Sequence, residues 1–351
     1  MAVADLYLRR NLWLLAFGLF DVFVLGWIGD ILHTYALAAL FLFPFRLLKP
    51  RTLIAIGLLY PLVLAGMSAG EYVARGDLIA KVEVLQAQKA AGKPLAAENK
   101  KTLAEWQKKL DARKVDADEK KDIEAEAKAH APDATALVFL SWTASVWLEL
   151  LGKSELILWI IEAFFTMLIG IALWKLKIIQ GGQSARFYLV MMLATYGFGL
   201  TARAVGVAEI MTFSPIHKTI WITGELARIA VTLGHVALIN LVVKSVMGST
   251  ILAPLKAAGR MALSLYFMQQ IIGLWILFAP WGFGLWGKYG HAELAAIATA
   301  VIVGQIVLAN IWMRFFVAGP LEWLWRSLSY IEWQRFRNRK PVTATETLVA
   351  G

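Results

Sequence analysis

The sequence contains no cysteine and few charged side chains. Because cysteine is absent from all 351 residues, disulfide bonds, thiolate metal sites and cysteine nucleophiles are excluded together. Charged residues make up only 17% of the chain, whereas 59% of it is hydrophobic and 15 residues are tryptophan. A soluble domain of this length does not need so much apolar sequence, so the composition predicts a membrane protein.

Several motifs of well-known enzymes are also missing. The five histidines include no pair at HxxxH or HxH spacing, so no dedicated metal site is predicted. No Gly-x-Ser-x-Gly or Walker sequence occurs, which argues against the commonest hydrolases and against ATP-driven transporters. The stretch GFGLWG at 282–287 does fit G-x-G-x-x-G. It follows no predicted strand, so it is not interpreted as a dinucleotide-binding fingerprint.

The net charge of +10 is carried by the apolar part of the chain. Residues 71–135 contain 13 basic and 13 acidic residues, and the remainder contains 22 basic and 12 acidic residues. Short basic loops between apolar segments are typical of a chain that faces anionic lipid and the cytoplasm. No basic tract is interleaved with aromatic residues in the manner of single-stranded nucleic-acid binding, so no nucleic-acid partner is predicted.

Eight apolar runs are long enough to cross a membrane, which takes about 20 helical residues each. The predicted fold is therefore an all-α, polytopic transmembrane helix bundle of about eight spans with a charged helical hairpin outside the membrane. The spans are placed at 11–28, 31–48, 52–70, 155–174, 187–208, 219–243, 261–279 and 292–316. The corresponding domains are 1–70, with three membrane helices; 71–135, the hairpin; 136–318, with an interfacial segment and five membrane helices; and 319–351, an interfacial anchor and a disordered tail.

Basic residues near the span ends predict the orientation. If the N-terminus is cytoplasmic, 17 basic residues lie at inner ends and four at outer ends. We therefore expect a multi-pass protein of the bacterial inner membrane, with both termini in the cytoplasm and the 71–135 hairpin outside. The lipid bilayer is its predicted partner.

Asp30 and His33 stand three positions apart within apolar sequence. At this spacing they would share a helix face, and a carboxylate beside an imidazole is the usual arrangement of a general base. Because Gly29 and Asp30 lie where two spans meet, Asp30 also fits the role of a helix N-cap. One residue can serve both purposes, so both interpretations are kept.

A second polar group lies in the sixth predicted span. Glu225, Arg228 and His235, together with Thr232, fall within an arc of about 80° on a helix. Glu225 and Arg228 can form an internal ion pair, or the face can line a substrate cavity in which Arg228 holds an anion and His235 transfers a proton. Arg203, at an outer end, can extend this face.

Four blocks of the sequence resemble YeiB-like bacterial inner-membrane proteins, the domain-of-unknown-function family 418. The blocks are RRNLWLLAFGLFDVFVLGWIGDILHTYALAAL, MLIGIALWKLKIIQGG, LAPLKAAGRMALSLYFMQQIIG and FFVAGPLEWLWRSLSY. Members of that family usually begin with a further pair of membrane helices, which this chain lacks, and they often carry histidine where this chain has Asp21. The resemblance also implies distant kinship with integral-membrane acyltransferases that act on sugars.

Two classes of function follow. The first is a transmembrane acyl- or group-transfer enzyme with Asp30, His33 and His235 as catalytic residues and with Glu225, Arg228 and Arg203 binding the substrate. An acyl donor such as acyl-CoA would be a cosubstrate, with no tightly bound cofactor, and an envelope glycan or lipid would be the acceptor. The second is a proton-coupled transporter, and a non-catalytic scaffold remains a third interpretation. The sequence does not indicate an oligomeric state.

Overall fold

The structure is a computed structural model that describes residues 3–111, 117–214 and 216–338. Within these ranges the backbone is helical and contains no β-strand, apart from an isolated antiparallel bridge between Phe316 and Arg337. The prediction of an all-α chain is therefore confirmed. Residues 339–351, which form most of the predicted disordered tail, lie outside the described residues.

The helices follow one another with short connections. In chain order they are α1 (Val3–Phe20), the π-helix π1 (Asp21–Leu25), α2 (Leu32–Leu40), a 3₁₀-helix (Phe43–Leu47), α3 (Pro50–Ala90), α4 (Ala97–Asp111), α5 (Ala117–Ala129), α6 (Ala136–Gly152), α7 (Glu155–Lys175), α8 (Ala185–Met211), α9 (Ile220–Lys244), α10 (Val246–Ile251), α11 (Ala253–Arg260), α12 (Ala262–Gln270), the π-helix π2 (Ile271–Leu277), α13 (His291–Phe315) and α14 (Pro320–Tyr330).

Five of the described helices are long and apolar enough to cross a membrane, namely α3, α7, α8, α9 and α13. Residues Ala253–Arg260 and Ala262–Leu277 together pass the same test, but they are bent by 77° at their junction. The described residues therefore supply five spans, or six if the bent pair counts as one. The chain is a helical membrane protein, and these five or six candidate spans, selected by length and apolar composition, compare with the about eight that were predicted.

The first two predicted spans are not among the candidate spans of the structure. The run at 11–28 belongs to a helix that starts at Val3 and changes to π geometry at Asp21. The run at 31–48 is broken, because α2 ends at Leu40 and Pro44 then lies in a separate 3₁₀-helix. Proline has no N–H for helical hydrogen bonding, so a single continuous helix does not form there.

The charged segment begins inside a helix. α3 continues from its apolar part through residue 70 and ends only at Ala90, so the backbone has no break where the hairpin was predicted to start. Val82 and Leu85 of α3 are buried, as is Trp106 of α4. These apolar residues recur at helical spacing, and their burial explains why a segment rich in lysine and glutamate folds back on itself.

The chain divides into two compact units. The first contains Met1–Pro44, Ala125–Phe164 and Val246–Gly351, and the second contains Phe45–Glu124 and Phe165–Ser245. Within the first unit, α1 packs on α2 and α14, and α11 packs on α13 around the buried Met261 and Leu265. Within the second, α8 packs along α9 and buries Tyr188.

Candidate active site

Asp30 and His33 form a hydrogen-bonded pair at the start of α2. The Asp30 Oδ2 atom lies 2.7 Å from the His33 Nδ1 atom and also accepts a hydrogen bond from the His33 backbone N–H at 2.8 Å. The exposed fraction is 3% for Asp30 and 2% for His33. An ionised carboxylate can only accept hydrogen bonds, so this contact places a proton on Nδ1 and leaves Nε2 as the basic nitrogen.

The same carboxylate also begins a helix. The first N–H groups of a helix have no intrahelical acceptor, and the bond from the His33 backbone N–H to Asp30 satisfies one of them. Asp30 is thus a helix cap and the partner of an imidazole at once. The hydrogen bonds fit both arrangements that the sequence suggested, and the catalytic role of the pair stays a prediction.

Tyr266 of α12 completes the hydrogen-bonded group. Its hydroxyl donates to Asp30 Oδ1 at 2.9 Å, so both oxygens of Asp30 are engaged. The backbone N–H of Ile31 lies 3.4 Å from the same hydroxyl. Asp30 is therefore fixed from two directions by residues 236 positions apart in the sequence.

The imidazole ring of His33 also contacts the side chains of Trp147 and Thr34. The ring of Trp147 on α6 meets the imidazole edge-to-face at a centroid distance of 5.8 Å. The His33 Nε2 atom lies 3.4 Å from the Thr34 Oγ1 atom, which is a long contact for a hydrogen bond. The indole N–H of Trp147 is buried without a hydrogen-bond partner among the described residues.

Asp21 supplies a second buried carboxylate to this group. Its side chain is fully buried, and neither carboxylate oxygen has a hydrogen-bond partner in the described part of the chain. It is close enough to Asp30 and Tyr266 to interact with both electrostatically, although the Tyr266 hydroxyl donates to Asp30. A carboxylate in such surroundings is stable when it carries a proton or holds a cation.

The π-helix places Asp21 at this point. The Asp21 carbonyl accepts the N–H of Gly26, and Gly26 has a φ of 77°. That conformation favours glycine, and a side chain there would also meet the ring of Phe139. Short π-helical segments are rare and occur often at functional sites. The first unit has two of them, since π2 follows directly after the helix that carries Tyr266.

The second predicted group lies in the other unit. The Glu225 Oε2 atom accepts hydrogen bonds from Arg228 at 2.6 and 3.1 Å, so the predicted ion pair is present. The Arg203 guanidinium donates to the Gly224 carbonyl at 3.3 Å. The structure thus joins Glu225 with Arg228 and brings Arg203 to the preceding turn of α9.

His235 is separate from that ion pair. Its Nδ1 atom lies 2.7 Å from the Val231 carbonyl, and its ring meets Tyr196 edge-to-face. The side chain is exposed, unlike the buried His33. Its predicted role in proton transfer stays a prediction, as does a pocket shared by the residues of α2 and α9.

Sequence reasoning missed two further contacts. Tyr266 lies in the block LAPLKAAGRMALSLYFMQQIIG, but its aromatic neighbours give no sign of a carboxylate partner. Glu322 is buried, and its carboxylate accepts the Ser264 hydroxyl at 2.5 Å and the Ser264 backbone N–H at 3.1 Å. It therefore caps α12 from a part of the chain 58 positions away, and no local spacing in the sequence indicates that contact.

Comparisons with known proteins show which proteins the chain resembles. Residues 173–332 match the family described as "Protein of unknown function (DUF418)". The "Uncharacterized protein YxaH" of Bacillus subtilis is 28% identical over 339 residues, which are 96% of this chain and 75% of YxaH. The chain is similar to YeiB-like proteins and to the DUF418 family over these residues.

Two other relatives match over shorter stretches. The "Uncharacterized protein YeiB" of Escherichia coli is 26% identical over 46% of this chain and 43% of its own length. An "Uncharacterized 39.9 kDa protein" of Bacillus acidopullulyticus is 32% identical over 26% of this chain and 25% of its own length. No solved structure matches the chain. The DUF418 match contains Tyr266 and Glu322, whereas Asp21, Asp30 and His33 precede it.

Proposed function

We propose that this protein is a membrane group-transfer enzyme that moves an acyl group to a hydroxyl of an envelope glycan or lipid. The observation that carries the proposal is the buried hydrogen-bonded chain from Tyr266 through Asp30 to His33. Nucleophile activation by an imidazole requires a partner that fixes the ring and its tautomer, and Asp30 has the position for that role.

The dyad accounts for one acyl transfer as follows. His33 Nε2 accepts the proton of the acceptor hydroxyl while the hydroxyl oxygen attacks the carbonyl carbon of a thioester donor such as acyl-CoA. The carbon–sulfur bond breaks, and the departing thiolate takes the proton back from the imidazolium. Asp30 stabilises the positive charge on the ring between the two steps, and general base catalysis of this kind contributes about 10²- to 10⁴-fold to a rate.

Asp21 serves as a proton store beside the dyad. Its carboxylate has no hydrogen-bond partner in the described structure, so it can hold a proton without breaking an existing contact. Its neighbours Asp30 and Tyr266 connect it to His33. In the second unit, Glu225, Arg228 and Arg203 form the polar face proposed for substrate binding, and His235 is the proposed proton donor there.

The membrane setting fits this activity. A bacterial inner-membrane location with both termini in the cytoplasm gives a cytoplasmic acyl donor and an outer acceptor access from opposite sides. Buried ionisable groups in membrane proteins are costly and usually functional, which supports a chemical role for the Asp30–His33 dyad.

The test is a comparison of envelope composition. Lipids and glycans are profiled in cells that lack the protein and in cells that make the wild type, His33→Gln, Asp30→Asn or His291→Gln at equal abundance. His291 is exposed at the start of α13 and is the matched control. The His33 and Asp30 variants should reproduce the profile of the deletion, and His291→Gln should reproduce the wild type. Identical profiles in all strains would overturn the proposal.

The unpartnered Asp21 favours a second candidate, a proton-coupled transporter. A buried carboxylate that gains and loses a proton is the usual coupling element of such proteins. Purified protein in liposomes with an imposed pH gradient distinguishes the candidates. Proton entry that Asp21→Asn abolishes, in the absence of any acyl donor, would favour transport, whereas no proton entry favours the enzyme.

A further inference from the structure

A cavity of about 630 Å³ lies within the second unit, apart from the proposed dyad. Three helices form its walls, because Ser68, Glu71 and Arg75 belong to α3, Lys109 to α4 and Trp221 to α9. Binding sites for small ligands usually have volumes of about 300–1,000 Å³. The cavity is thus large enough for a headgroup or a sugar phosphate.

The charged lining of the cavity favours an anion. Arg75 and Lys109 bring two positive charges to it and Glu71 brings one negative charge. The two cations come from different helices, so the arrangement is not a simple row of solvated lysines along one helix. Arginine and lysine are the side chains that hold phosphate groups in proteins.

An aromatic ring fixes one of the cations. The Arg75 guanidinium lies over the ring of Trp221, 5.4 Å from its centroid. This contact reduces the conformational freedom of Arg75 before a ligand arrives, and preorganisation of this kind favours binding. The indole is partly exposed and lines the cavity, so it also offers an apolar surface to a sugar or glycerol group.

A buried polar atom occurs beside this wall. The Nδ1 atom of His217 has no hydrogen-bond partner in the described part of the chain. His217 packs against Gly76, the residue after Arg75. A Cβ atom added to Gly76 would lie 3.5 Å from the His217 Nδ1 atom. The ring meets Tyr72 edge-to-face at 4.0 Å. His217 thus lies next to the α3 wall without lining the cavity, and the polar lining from α3 is Ser68, Glu71 and Arg75.

We propose that this cavity binds the phosphate-bearing headgroup of an anionic ligand, with Arg75 and Lys109 as phosphate ligands and Trp221 under the rest of the headgroup. The cavity lies where α3 leaves its apolar part and meets the charged hairpin, a suitable depth for a lipid headgroup. A soluble phosphate ester presents the same chemistry, so the two sources are distinguished by experiment.

The test uses the full-length protein in nanodiscs. In the lipid arm, nanodiscs contain equal phosphatidylglycerol and phosphatidylcholine, and native mass spectrometry measures the anionic lipid retained per protein. In the soluble arm, glycerol 1-phosphate is titrated calorimetrically into protein in phosphatidylcholine nanodiscs. We expect retention or binding in at least one arm, and the arm that responds identifies the source.

Variants test the assignment of the residues. Arg75→Gln and Lys109→Gln should each weaken binding about tenfold, the equivalent of one charge-assisted hydrogen bond. Lys108→Gln is the matched control, since Lys108 is exposed on α4 and does not line the cavity, and it should bind as the wild type does. Glu71→Gln should strengthen binding, because it removes the negative charge from the lining.

Binding is measured without any acyl donor. A failure of headgroup binding can therefore be distinguished from a failure of the group-transfer proposal. Circular dichroism and size-exclusion chromatography verify that each variant is folded, and Arg75→Lys should restore part of the binding lost in Arg75→Gln. Absence of binding in both arms would overturn the proposal. Binding that is equal in the wild type, Lys108→Gln and an Arg75→Gln/Lys109→Gln double variant would also overturn it.

Discussion

At the residue scale, the structure assigns two functions to one carboxylate. Asp30 caps α2 through the backbone N–H of His33 and fixes the imidazole of the same residue through Nδ1. Tyr266 holds the other oxygen of Asp30. The start of the helix and the orientation of the candidate base are therefore coupled, and a change in either one affects the other.

Tyr266→Phe tests this coupling. The change removes the hydroxyl that donates to Asp30 Oδ1 and keeps the ring, so this buried carboxylate loses a hydrogen bond. We expect the free energy of unfolding in detergent to fall by about 1–3 kcal/mol. Tyr289→Phe is the control, because Tyr289 is exposed. Equal stability of both variants would show that the hydroxyl does not hold Asp30.

At the element scale, the approach of α1 to α2 determines where the dyad lies. Gly18 of α1 faces the start of α2, and a Cβ atom there would lie 2.6 Å from Asp30 Oδ2 and also collide with the His33 backbone. α1 packs along α2 at this point. The absence of a side chain at residue 18 thus allows the two helices to bury the dyad.

Gly18→Ala should disrupt that packing. Because backbone atoms of α2 have to move, we expect a loss of about 1–3 kcal/mol in unfolding free energy, measured by chemical denaturation in detergent. Gly66→Ala in α3 is the matched control, since nothing lies within 4 Å of a Cβ atom at that position. It should be neutral or stabilising by up to about 1 kcal/mol. Similar losses in both variants would contradict the packing account.

Contacts within one helix could be predicted from the sequence, and contacts between distant segments could not. Glu225 and Arg228 are three residues apart on α9, so helical geometry brings them together. Asp30 precedes α2 and meets His33 at the same spacing because it caps the first turn of that helix. Tyr266 reaches Asp30 across 236 positions, and no periodicity encodes that contact.

The hydrophobic pattern of the sequence did not predict departures from regular α-helical geometry either. An apolar run with helical spacing looks the same whether it continues as an α-helix or, as at Asp21, changes to π geometry. The break after Leu40 could have been inferred from Pro44, but the hydrophobicity of the flanking residues favoured a span. Length and hydrophobicity therefore predict the apolar runs, but they do not show where a helix changes geometry or ends.

At the scale of the whole molecule, the basic residues predict that the hairpin lies outside and the C-terminal region lies inside. The absence of native cysteine makes this directly testable, because any introduced cysteine is the sole thiol. Lys100→Cys on α4 should react with a membrane-impermeant maleimide in intact cells. Arg337→Cys should react only after permeabilisation. Labelling of Arg337→Cys in intact cells, or protection of Lys100→Cys, would show that the orientation is wrong.

The central claim is that His33, held by Asp30, accepts a proton during acyl transfer. The most direct measurement is the rate at which isotope-labelled acyl-CoA, supplied to inverted membrane vesicles, labels the envelope fraction and releases free thiol. The account predicts labelling by wild-type and His291→Gln vesicles, and a rate lower by about 10²-fold or more for His33→Gln. Labelling by His33→Gln at the wild-type rate, or equal labelling with and without the protein, would contradict it.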